Sequence, residues 1–376
     1  MPFAKRTQWD RSPNALSTML EALKHKHVSV IDLTESNPTH CGFEYPTEIL
    51  SALGNQDNLR YCPDSRGVPS AREALGRCLR IDTERIFLTA STSESYSYIF
   101  KLLLNAGDKV LIPRPSYPLF QFLLELNDAV FDYYPLVYVR GEWRIDVEAL
   151  AALVDSTTKA VVLVNPNNPT GSYLKADELI KLNALCVKHG LAIIADEVFY
   201  DYKLKEGDYV SLRDNQEVLS FTLEGLSKSL CLPQMKLGWI ITSGPKDLVK
   251  EALARLEIIA DTYLSVNAPV QNALGAWLPQ IKIMQDQVMA RVKANLNFLI
   301  ANGFKVLTVE GGWYAVLDAG DADEEEVVLE LLRGYHVLTH PGFFFDFQRS
   351  GYLIVSLLPP EAQFANIIKI KGVIDG

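Results

Sequence analysis

Short apolar runs alternate with amphipathic stretches over about residues 46–245. The amphipathic stretches, of which 94–104, 118–126 and 175–189 are the clearest, carry apolar residues at helical spacing. The apolar runs between them are typical of strands buried on both faces. This alternation predicts βαβ units, and therefore an α/β fold with a mostly parallel sheet sandwiched by helices. The predicted strands are Ile86–Thr89, Lys109–Ile112, Ala160–Val164, Leu191–Ala195, Val218–Thr222 and Leu237–Thr242.

The two flanks of this region show shorter and more mixed elements. At the N-terminal end, Ser12-Pro13-Asn14 predicts the start of a helix over Ala15–Lys24, and a short strand follows at Val28–Leu33. At the C-terminal end, a long helical region over residues 269–301 contains Pro279, which is expected to bend or split it. The elements predicted after it are Lys305–Val309, Trp313–Leu317, a helix over Glu324–Arg333 and a strand over Tyr352–Leu358. We therefore predict a large domain over residues 46–284 and a smaller α+β domain formed by residues 1–45 and 285–376.

Composition narrows the possible partners and compartment. A chain of 376 residues with 48% hydrophobic residues is long enough for two domains with a sizeable core. Its formal net charge of −10 argues against a nucleic-acid partner, which would need a basic face. The five cysteines form no CxxC pair, so neither a zinc site nor a disulfide framework is indicated. Without a signal-peptide pattern or a long apolar run, we expect a cytoplasmic protein with no membrane partner.

Polar side chains follow several predicted strands, where open α/β sheets place their binding sites. Residues 89–94 join a strand to a helix, and the helix start with the hydroxyls of Thr92 and Ser93 could hold a phosphate. Ordinary helix capping is the alternative. Residues 165–171, Asn-Pro-Asn-Asn-Pro-Thr-Gly, predict a rigid loop that could fix one amide side chain, or one that is only structural.

Three further residues suit the chemistry of a flat, charged cofactor. Asp196 ends an apolar strand, where it could keep a ring nitrogen protonated or merely cap a helix. Tyr117, in a proline-stiffened turn, could stack on a ring or lie exposed. Lys228 stands between two serines, and an amine in a partly dry pocket can react with an aldehyde, although most lysines are solvated surface charges.

Together these features match what pyridoxal 5'-phosphate requires. Their order and spacing from about residue 32 to residue 358 resemble the class I/II aminotransferases of pyridoxal-phosphate fold type I, which are aspartate aminotransferase-like. The resemblance implies that Lys228 is the catalytic Schiff-base lysine and that Asp196 is a second catalytic residue, paired with the ring nitrogen. It further implies a homodimer with composite sites that acts on an amino acid and a keto acid. The implied cofactor-binding residues are Tyr61, which reaches the neighbouring subunit's phosphate, Thr92, Ser93, Tyr117, Asn168, Asp196, Ser227, Lys228 and Lys236.

The sequence departs from this family at positions that bear on its function. Lys236 stands where the family has a phosphate-binding arginine, and Ile354 stands where an arginine clamps the substrate carboxylate. Isoleucine cannot replace a bidentate charged partner. Either the carboxylate is held elsewhere or the substrate is not an ordinary α-amino acid. Further departures from the family are Ser36, Phe199 and Gly225. The residues that could replace the arginine as a clamp for the carboxylate are Arg66, Arg114, Arg349 and Lys236.

The first prediction for the function is transfer of an amino group between an amino acid and a keto acid. A lyase or decarboxylase on the same fold is the alternative, because the missing arginine leaves the orientation of the substrate open. A non-catalytic regulatory protein that binds pyridoxal phosphate is a more distant alternative. Trp313, Tyr314 and the run Phe343-Phe344-Phe345 could shape an aromatic substrate pocket or simply belong to the core.

Overall fold

The computed structural model describes residues 2–374. Its strands are β1 (Ile31–Asp32), β2 (Ile86–Thr89), β3 (Lys109–Arg114), β4 (Val130–Val139), β5 (Glu142–Ile145), β6 (Thr158–Val164), β7 (Ala192–Asp196), β8 (Ser220–Gly225), β9 (Gly238–Ser243), β10 (Tyr314–Asp318), β11 (Val337–Leu338), β12 (His340–Pro341) and β13 (Tyr352–Ser356). Its α-helices are α1 (Ala15–His25), α2 (Glu48–Ser51), α3 (Pro69–Leu79), α4 (Thr92–Leu103), α5 (Phe120–Glu125), α6 (Val147–Ala152), α7 (Ala176–His189), α8 (Leu226–Ser229), α9 (Lys246–Tyr263), α10 (Ala268–Trp277), α11 (Ile281–Ala301), α12 (Glu324–Tyr335), α13 (Glu361–Phe364) and α14 (Lys371–Ile374).

The central sheet has eight strands in the order β2-β9-β8-β7-β6-β3-β4-β5. Neighbours from β8 to β4 run parallel, whereas β9 is antiparallel to both β2 and β8, and β5 is antiparallel to β4. This confirms the predicted mostly parallel sheet, and all six predicted strands are present with small shifts at their ends. The strands β4 and β5 and the helices α3 and α9 were not predicted.

The strands of the sheet are buried on both faces. Along β6, Ala160 and Val162 pack into one apolar cluster, while Val161 and Leu163 pack into another on the opposite face. Successive strand residues point to opposite faces, so a run with no polar interruption is what a sheet covered on both sides requires. The helices cover both faces, which explains why these strands read as continuous apolar runs in the sequence.

A smaller set of strands is built from the two ends of the chain. Strand β13 pairs antiparallel with β10 and β12 to form a three-stranded sheet, and β1 from the N-terminal region pairs in parallel with β11. The predicted strand Lys305–Val309 is wrong, because this segment makes only an isolated bridge between Val306 and Leu317. The helical region splits at Pro279 as expected, with a 3-10 turn over Leu278–Gln280 between α10 and α11. Within residues 2–374, no helix combines the length and the apolar character needed to cross a bilayer.

Candidate active site

A cavity of about 190 Å³ opens at the carboxyl ends of β6, β7 and β8, where Val164, Asp196 and Gly225 contribute to its wall. This is the edge at which open α/β sheets bind ligands. The structure thus brings together residues that are far apart in the sequence. Seven of the nine predicted site residues line this cavity, namely Thr92, Ser93, Tyr117, Asn168, Asp196, Ser227 and Lys228.

The N-terminus of α4 provides one end of the cavity. Ser91 caps this helix, since its hydroxyl accepts a hydrogen bond from the amide of Glu94 at 3.2 Å. Ser91 therefore provides the ordinary helix cap. The hydroxyls of Thr92, Ser93 and Ser227 have no hydrogen-bond partner in residues 2–374. Free hydroxyls at a helix N-terminus suit an anion such as a phosphate.

Gly238 allows the backbone of β9 to lie close to this helix start. A Cβ at this position would lie 3.1 Å from the carbonyl carbon of Ser91 and 3.1 Å from the amide nitrogen of Thr92. Any side chain here would therefore press on the peptide that begins α4. The close approach is a structural feature of the anion cradle, and it fits a bound phosphate group.

Asp196, the last residue of β7, reaches the cavity from the sheet. Its Oδ1 accepts from the amide of Val198 at 3.2 Å, and its Oδ2 accepts from the hydroxyl of Tyr96 at 3.3 Å. Burial raises the pKa of Asp196 to about 6, against the lowering effect of these two bonds and of Lys228. A cation in the cavity would lower this pKa again, because an opposite charge nearby favours the carboxylate.

Lys228 lies in the short helix α8 and reaches the same cavity. Burial lowers the pKa of its amine, while Cys231 and Asp196 act in the opposite direction. Its Nζ lies 4.8 Å from the ring centroid of Trp313 and 5.1 Å from that of Phe199. A buried amine with a lowered pKa is neutral more often than a surface lysine, and it is therefore a better nucleophile.

The loop after β6 holds Asn168 at the cavity with its amide unused. Neighbouring side chains fix the loop, because Asn165 donates to Glu197 at 3.0 Å and Asn167 donates to the carbonyl of Pro115 at 3.2 Å. By contrast, the Oδ1 of Asn168 is buried without a hydrogen-bond partner in the described part of the chain. Buried polar atoms are nearly always paired, so this amide is available for a polar group of a ligand.

The remaining predicted site residues differ in their positions. Tyr117 is 39% exposed and lines the cavity beside α5, where its ring meets that of Phe120 edge-on at 6.2 Å. Tyr61 is 82% exposed and lines a separate cavity. Lys236 is exposed and makes no ion pair within residues 2–374, but it does not line the cavity either. Within a single chain, the structure therefore does not bring Tyr61 or Lys236 to Lys228.

The residue at the position expected for a carboxylate clamp is apolar, and so are its surroundings in the structure. Ile354 is fully buried in β13 and packs with Val316, Phe345 and Tyr352. Three of the four proposed substitutes are engaged elsewhere. Arg66 pairs with Glu84 and Glu257, Arg349 pairs with Asp318, and Arg114 lies over the ring of Tyr133 at 5.5 Å.

Three further polar residues line the cavity, and one of them, Tyr96, was not singled out from the sequence. Tyr96 lies four residues after Thr92 on α4, and this helical spacing could have suggested that it faces the same site. Tyr314 lines the cavity, whereas Trp313 is fully buried next to it, so the aromatic pair is partly pocket and partly core. Ser36, from the N-terminal region, also reaches the cavity.

Residues 28–368 match the sequence model of the family described as aminotransferase class I and II. The chain belongs to this family. The resemblance seen in the sequence is thereby confirmed. Membership of the family implies pyridoxal phosphate as the cofactor and an amino acid and a keto acid as substrates.

Curated relatives and solved structures agree with this assignment. The chain is 28% identical to an alanine aminotransferase of Mycobacterium tuberculosis, over 94% of this chain and 86% of the relative. It is 31% identical to a glutamate-pyruvate aminotransferase of Escherichia coli, over 67% of this chain and 64% of the relative. The fold matches an alanine aminotransferase from Pyrococcus furiosus with a TM-score of 0.88 at 23% identity, over 99% of each chain. It also matches an aspartate aminotransferase from Thermotoga maritima with a TM-score of 0.84 at 21% identity, over 100% of each chain.

These findings confirm fold type I and the prediction of an aminotransferase that moves an amino group between an amino acid and a keto acid. They favour this function over the alternative of a lyase or decarboxylase. They also favour it over the more distant alternative of a non-catalytic regulatory protein. The activity is assigned from membership of the family, whereas the roles of individual residues are inferred from the geometry of the cavity.

Proposed function

We propose that this aminotransferase binds pyridoxal phosphate in the cavity around Lys228 and that Lys228 both carries the cofactor and moves the substrate proton. The observation that supports this most strongly is the meeting of Lys228, Asp196 and the start of α4 in one cavity. A nucleophilic amine, an acid and an anion cradle are the three groups that hold the aldehyde, the ring nitrogen and the phosphate of this cofactor.

The phosphate would lie at the N-terminus of α4. The amides of the first helical turn and the hydroxyls of Thr92, Ser93 and Ser227 are placed to donate to it. Lys236 would add positive charge from the position of the family's arginine. A lysine provides a point charge rather than a bidentate fork, so we expect its contribution to be electrostatic and sensitive to salt.

The ring of the cofactor would be held from three sides. Tyr117 would stack on one face, the amide of Asn168 would donate to the ring oxygen, and Asp196 would accept from the protonated ring nitrogen. The raised pKa of Asp196 fits this arrangement, because the buried carboxyl lacks the cation that the ring would supply. The Nδ2 of Asn168, the atom that would donate, makes no hydrogen bond within residues 2–374.

The bound cofactor supplies an electron-accepting ring for the substrate carbon that loses its proton. The chain's own residues then determine where that proton goes. With the cofactor bound, Nζ of Lys228 would accept the proton from the substrate's Cα as general base and would later give it up as general acid. Asp196 would keep the ring nitrogen protonated, so that the ring can accept electrons, and the surrounding apolar residues would exclude water.

We propose a neutral amino acid such as alanine as the amino donor. One relative is named alanine aminotransferase, which supports this choice, whereas another is named glutamate-pyruvate aminotransferase and makes glutamate the competing donor. Lys228 is the sole cation among the described residues lining the cavity, so a carboxylate on the side chain of the donor would have no charged partner. Burying an unpaired carboxylate is costly.

A panel of amino donors tests this choice of substrate. Each donor is mixed with pyridoxal-phosphate-loaded enzyme in the absence of a keto acid, and the rate at which the cofactor absorbance changes is recorded. We expect kcat/KM for L-alanine to exceed that for L-glutamate and L-aspartate by about tenfold or more, because these lack a partner for the second carboxylate. A preference for either dicarboxylic amino acid contradicts the proposed substrate class without affecting the role of Lys228.

We further propose a homodimer in which Tyr61 completes the site of the neighbouring subunit. Tyr61 is too exposed, and too far from the Lys228 cavity within one chain, to serve its own site. Apolar side chains near it, Leu59 at 90% exposure and Leu264 at 37%, are typical of a surface covered by a partner. If Tyr61 contacts the phosphate bound by the neighbouring subunit, each site is complete only in the dimer.

Hybrid dimers test this composite site. Tyr61→Ala and Lys228→Ala are each expected to be nearly inactive. Mixing and reassociating the two variants should restore activity to about a quarter of the wild-type level, since half of the dimers are mixed and each holds one intact site. If Tyr61 serves its own chain instead, no intact site forms and mixing restores nothing. Lys188→Ala mixed with Lys228→Ala is the control for the mixing procedure and should retain about half of the wild-type activity, whether or not subunits exchange.

The division into domains is part of the same proposal. We propose that residues 46–284 form the cofactor-binding domain and that residues 1–45 and 285–376 form the smaller one. All eight strands of the central sheet lie within the first range, and β10, β12 and β13 lie within the second. The expected cytoplasmic location is likewise a proposal, supported by cysteines that form no disulfide in the described residues.

A further inference from the structure

Three aromatic side chains lie next to Lys228. Phe199, Tyr202 and Trp313, the aromatic triad, contact one another through their rings. The ring centroids of Phe199 and Trp313 are 5.1 Å apart, those of Tyr202 and Trp313 are 5.1 Å apart, and those of Phe199 and Tyr202 are 6.5 Å apart. All three pairs meet edge to face, which is a favourable geometry for aromatic rings.

The triad contacts Lys228 at both ends of the residue. The hydroxyl of Tyr202 donates to the main-chain carbonyl of Lys228 at 2.5 Å, so it fixes the start of the side chain. At the other end, Nζ lies 4.8 Å from the centroid of Trp313 and 5.1 Å from that of Phe199. Both distances are within the range in which an ammonium group is attracted to an aromatic ring.

Trp313 and Tyr202 are fully buried and do not line the cavity, whereas Phe199 does. Trp313 can therefore affect the reaction only through its contact with Lys228, and not through contact with the substrate. Its Nε1 has no hydrogen-bond partner in the described residues, so no polar contact of the indole accounts for its position.

We propose that the aromatic triad is a positioning device for Lys228, with Trp313 and Phe199 holding its amine at their ring faces for the transfer of the substrate proton. This inference rests on the proposed role of Lys228 and adds the residues that make the role possible. The proton would leave the substrate's Cα and become the third hydrogen of the Lys228 ammonium group. It would then pass to the bound cofactor, so that the amine ends the transfer neutral, as it began. No other reactant is needed.

The triad also affects the charge state of the amine. Burial disfavours the ammonium form of Lys228. The titratable groups around it are Asp196 from β7, Cys231 on its own segment, Tyr202 of the triad, and Tyr96, Tyr117 and Tyr314 at the cavity. Aromatic ring faces carry negative charge density and stabilise the ammonium form. Trp313 and Phe199 therefore make it easier for the buried amine to accept a proton.

The pKa of Lys228 in the cofactor-free protein is the direct readout. It is obtained from the pH dependence of the modification of Lys228 by an amine-acylating reagent, followed by mass spectrometry of the peptide. We expect the pKa of Lys228 to decrease in the order wild type, Trp313→Phe, Trp313→Leu, with a total fall of about one pH unit, because tryptophan binds cations best and leucine has no ring.

The opposite order contradicts the proposal. If Trp313 only excludes water, the smaller leucine admits more water to the amine, and the pKa of Lys228 rises instead of falling. Trp277→Phe and Trp277→Leu are the matched controls, since Trp277 is also fully buried but lies in α10. Equal pKa changes in both series also contradict the proposal. If Trp313→Leu does not fold, the comparison of Trp313→Phe with Phe199→Leu gives the same test.

Steady-state kinetics provide a second readout that a purely structural role would not produce. In Trp313→Leu we expect kcat to fall about tenfold, with little change in the KM of the amino donor, because Trp313 acts on the proton transfer and not on substrate binding. A rise in KM at constant kcat contradicts the proposal. The proposed function fails if Lys228→Ala retains activity. The positioning role of Trp313 can fail while Lys228→Ala is inactive, so the two failures are distinguishable.

Discussion

Replacing Lys228 by alanine lowers kcat for transamination by about 10³-fold or more, since it removes both the nucleophile and the general acid-base group. No other amine lines the cavity among the described residues, so no neighbouring side chain can take over either task. The measurement is the rate of keto acid formation from L-alanine, followed over hours to detect residual turnover.

Cofactor binding separates this effect from unfolding. The phosphate cradle of Thr92, Ser93 and Ser227 is untouched in Lys228→Ala, so the variant should still bind pyridoxal phosphate, although more weakly and without a covalent bond. Lys188→Ala is the matched control, since Lys188 is an exposed lysine on α7 and its loss should leave kcat unchanged. Activity of Lys228→Ala within tenfold of the wild type contradicts the assignment.

Replacing Asp196 by asparagine is the second substitution expected to have a large effect. The side chain keeps its shape and can still contact the ring nitrogen, but its negative charge is lost. Removing one partner of a buried ion pair costs about 3–5 kcal/mol, so we expect kcat/KM to fall by about 10²–10⁴-fold. The measurement is kcat/KM at saturating pyridoxal phosphate, with Asp196→Glu as the variant that retains the charge and recovers part of the activity.

The pH dependence of cofactor affinity provides an independent test of Asp196. In the cofactor-free protein, burial raises the pKa of this carboxyl to about 6. The cationic ring lowers it in the complex, so the complex binds fewer protons than the free protein does. The contribution of Asp196 to affinity is therefore fully present above about pH 6 and is lost as the pH falls below it.

The comparison between wild type and Asp196→Asn isolates this contribution from the titration of the phosphate. We expect the ratio of the two dissociation constants for pyridoxal phosphate to decrease towards one as the pH falls from 7 to 4.5. A ratio that stays constant across this range contradicts the pairing of Asp196 with the ring nitrogen. The affinities are measured by fluorescence titration of cofactor-free protein.

The sequence predicted the central sheet well because its strands are buried on both faces. Runs such as that of β6 contain no polar interruption and are bounded by helical stretches, which gives an unambiguous pattern. Strand β4 was missed because it pairs with the antiparallel edge strand β5 and alternates buried with partly exposed residues. The segment 305–309 has the composition of a strand, but no neighbouring strand pairs with it beyond one bridge.

Prediction of the site was limited by contacts between distant segments. Residues at the ends of β6, β7 and β8 could be grouped from the sequence, because parallel strands bring their carboxyl ends to one edge. The partnership of Tyr96 with Asp196 and the contact of Trp313 with Lys228 join segments that are about 100 and 85 residues apart, and no local pattern indicates them. The role of Tyr61 in the site of a neighbouring subunit and the role of Lys236 near the phosphate stay predictions.

Reductive trapping tests the central claim most directly. Protein loaded with pyridoxal phosphate is treated with borohydride and digested, and the modified peptide is identified by mass spectrometry. We predict that the reduced cofactor is attached to Nζ of Lys228, with no modification in the Lys228→Ala variant treated in the same way. Attachment to a different lysine, or the absence of any adduct on protein that has bound the cofactor, contradicts the account.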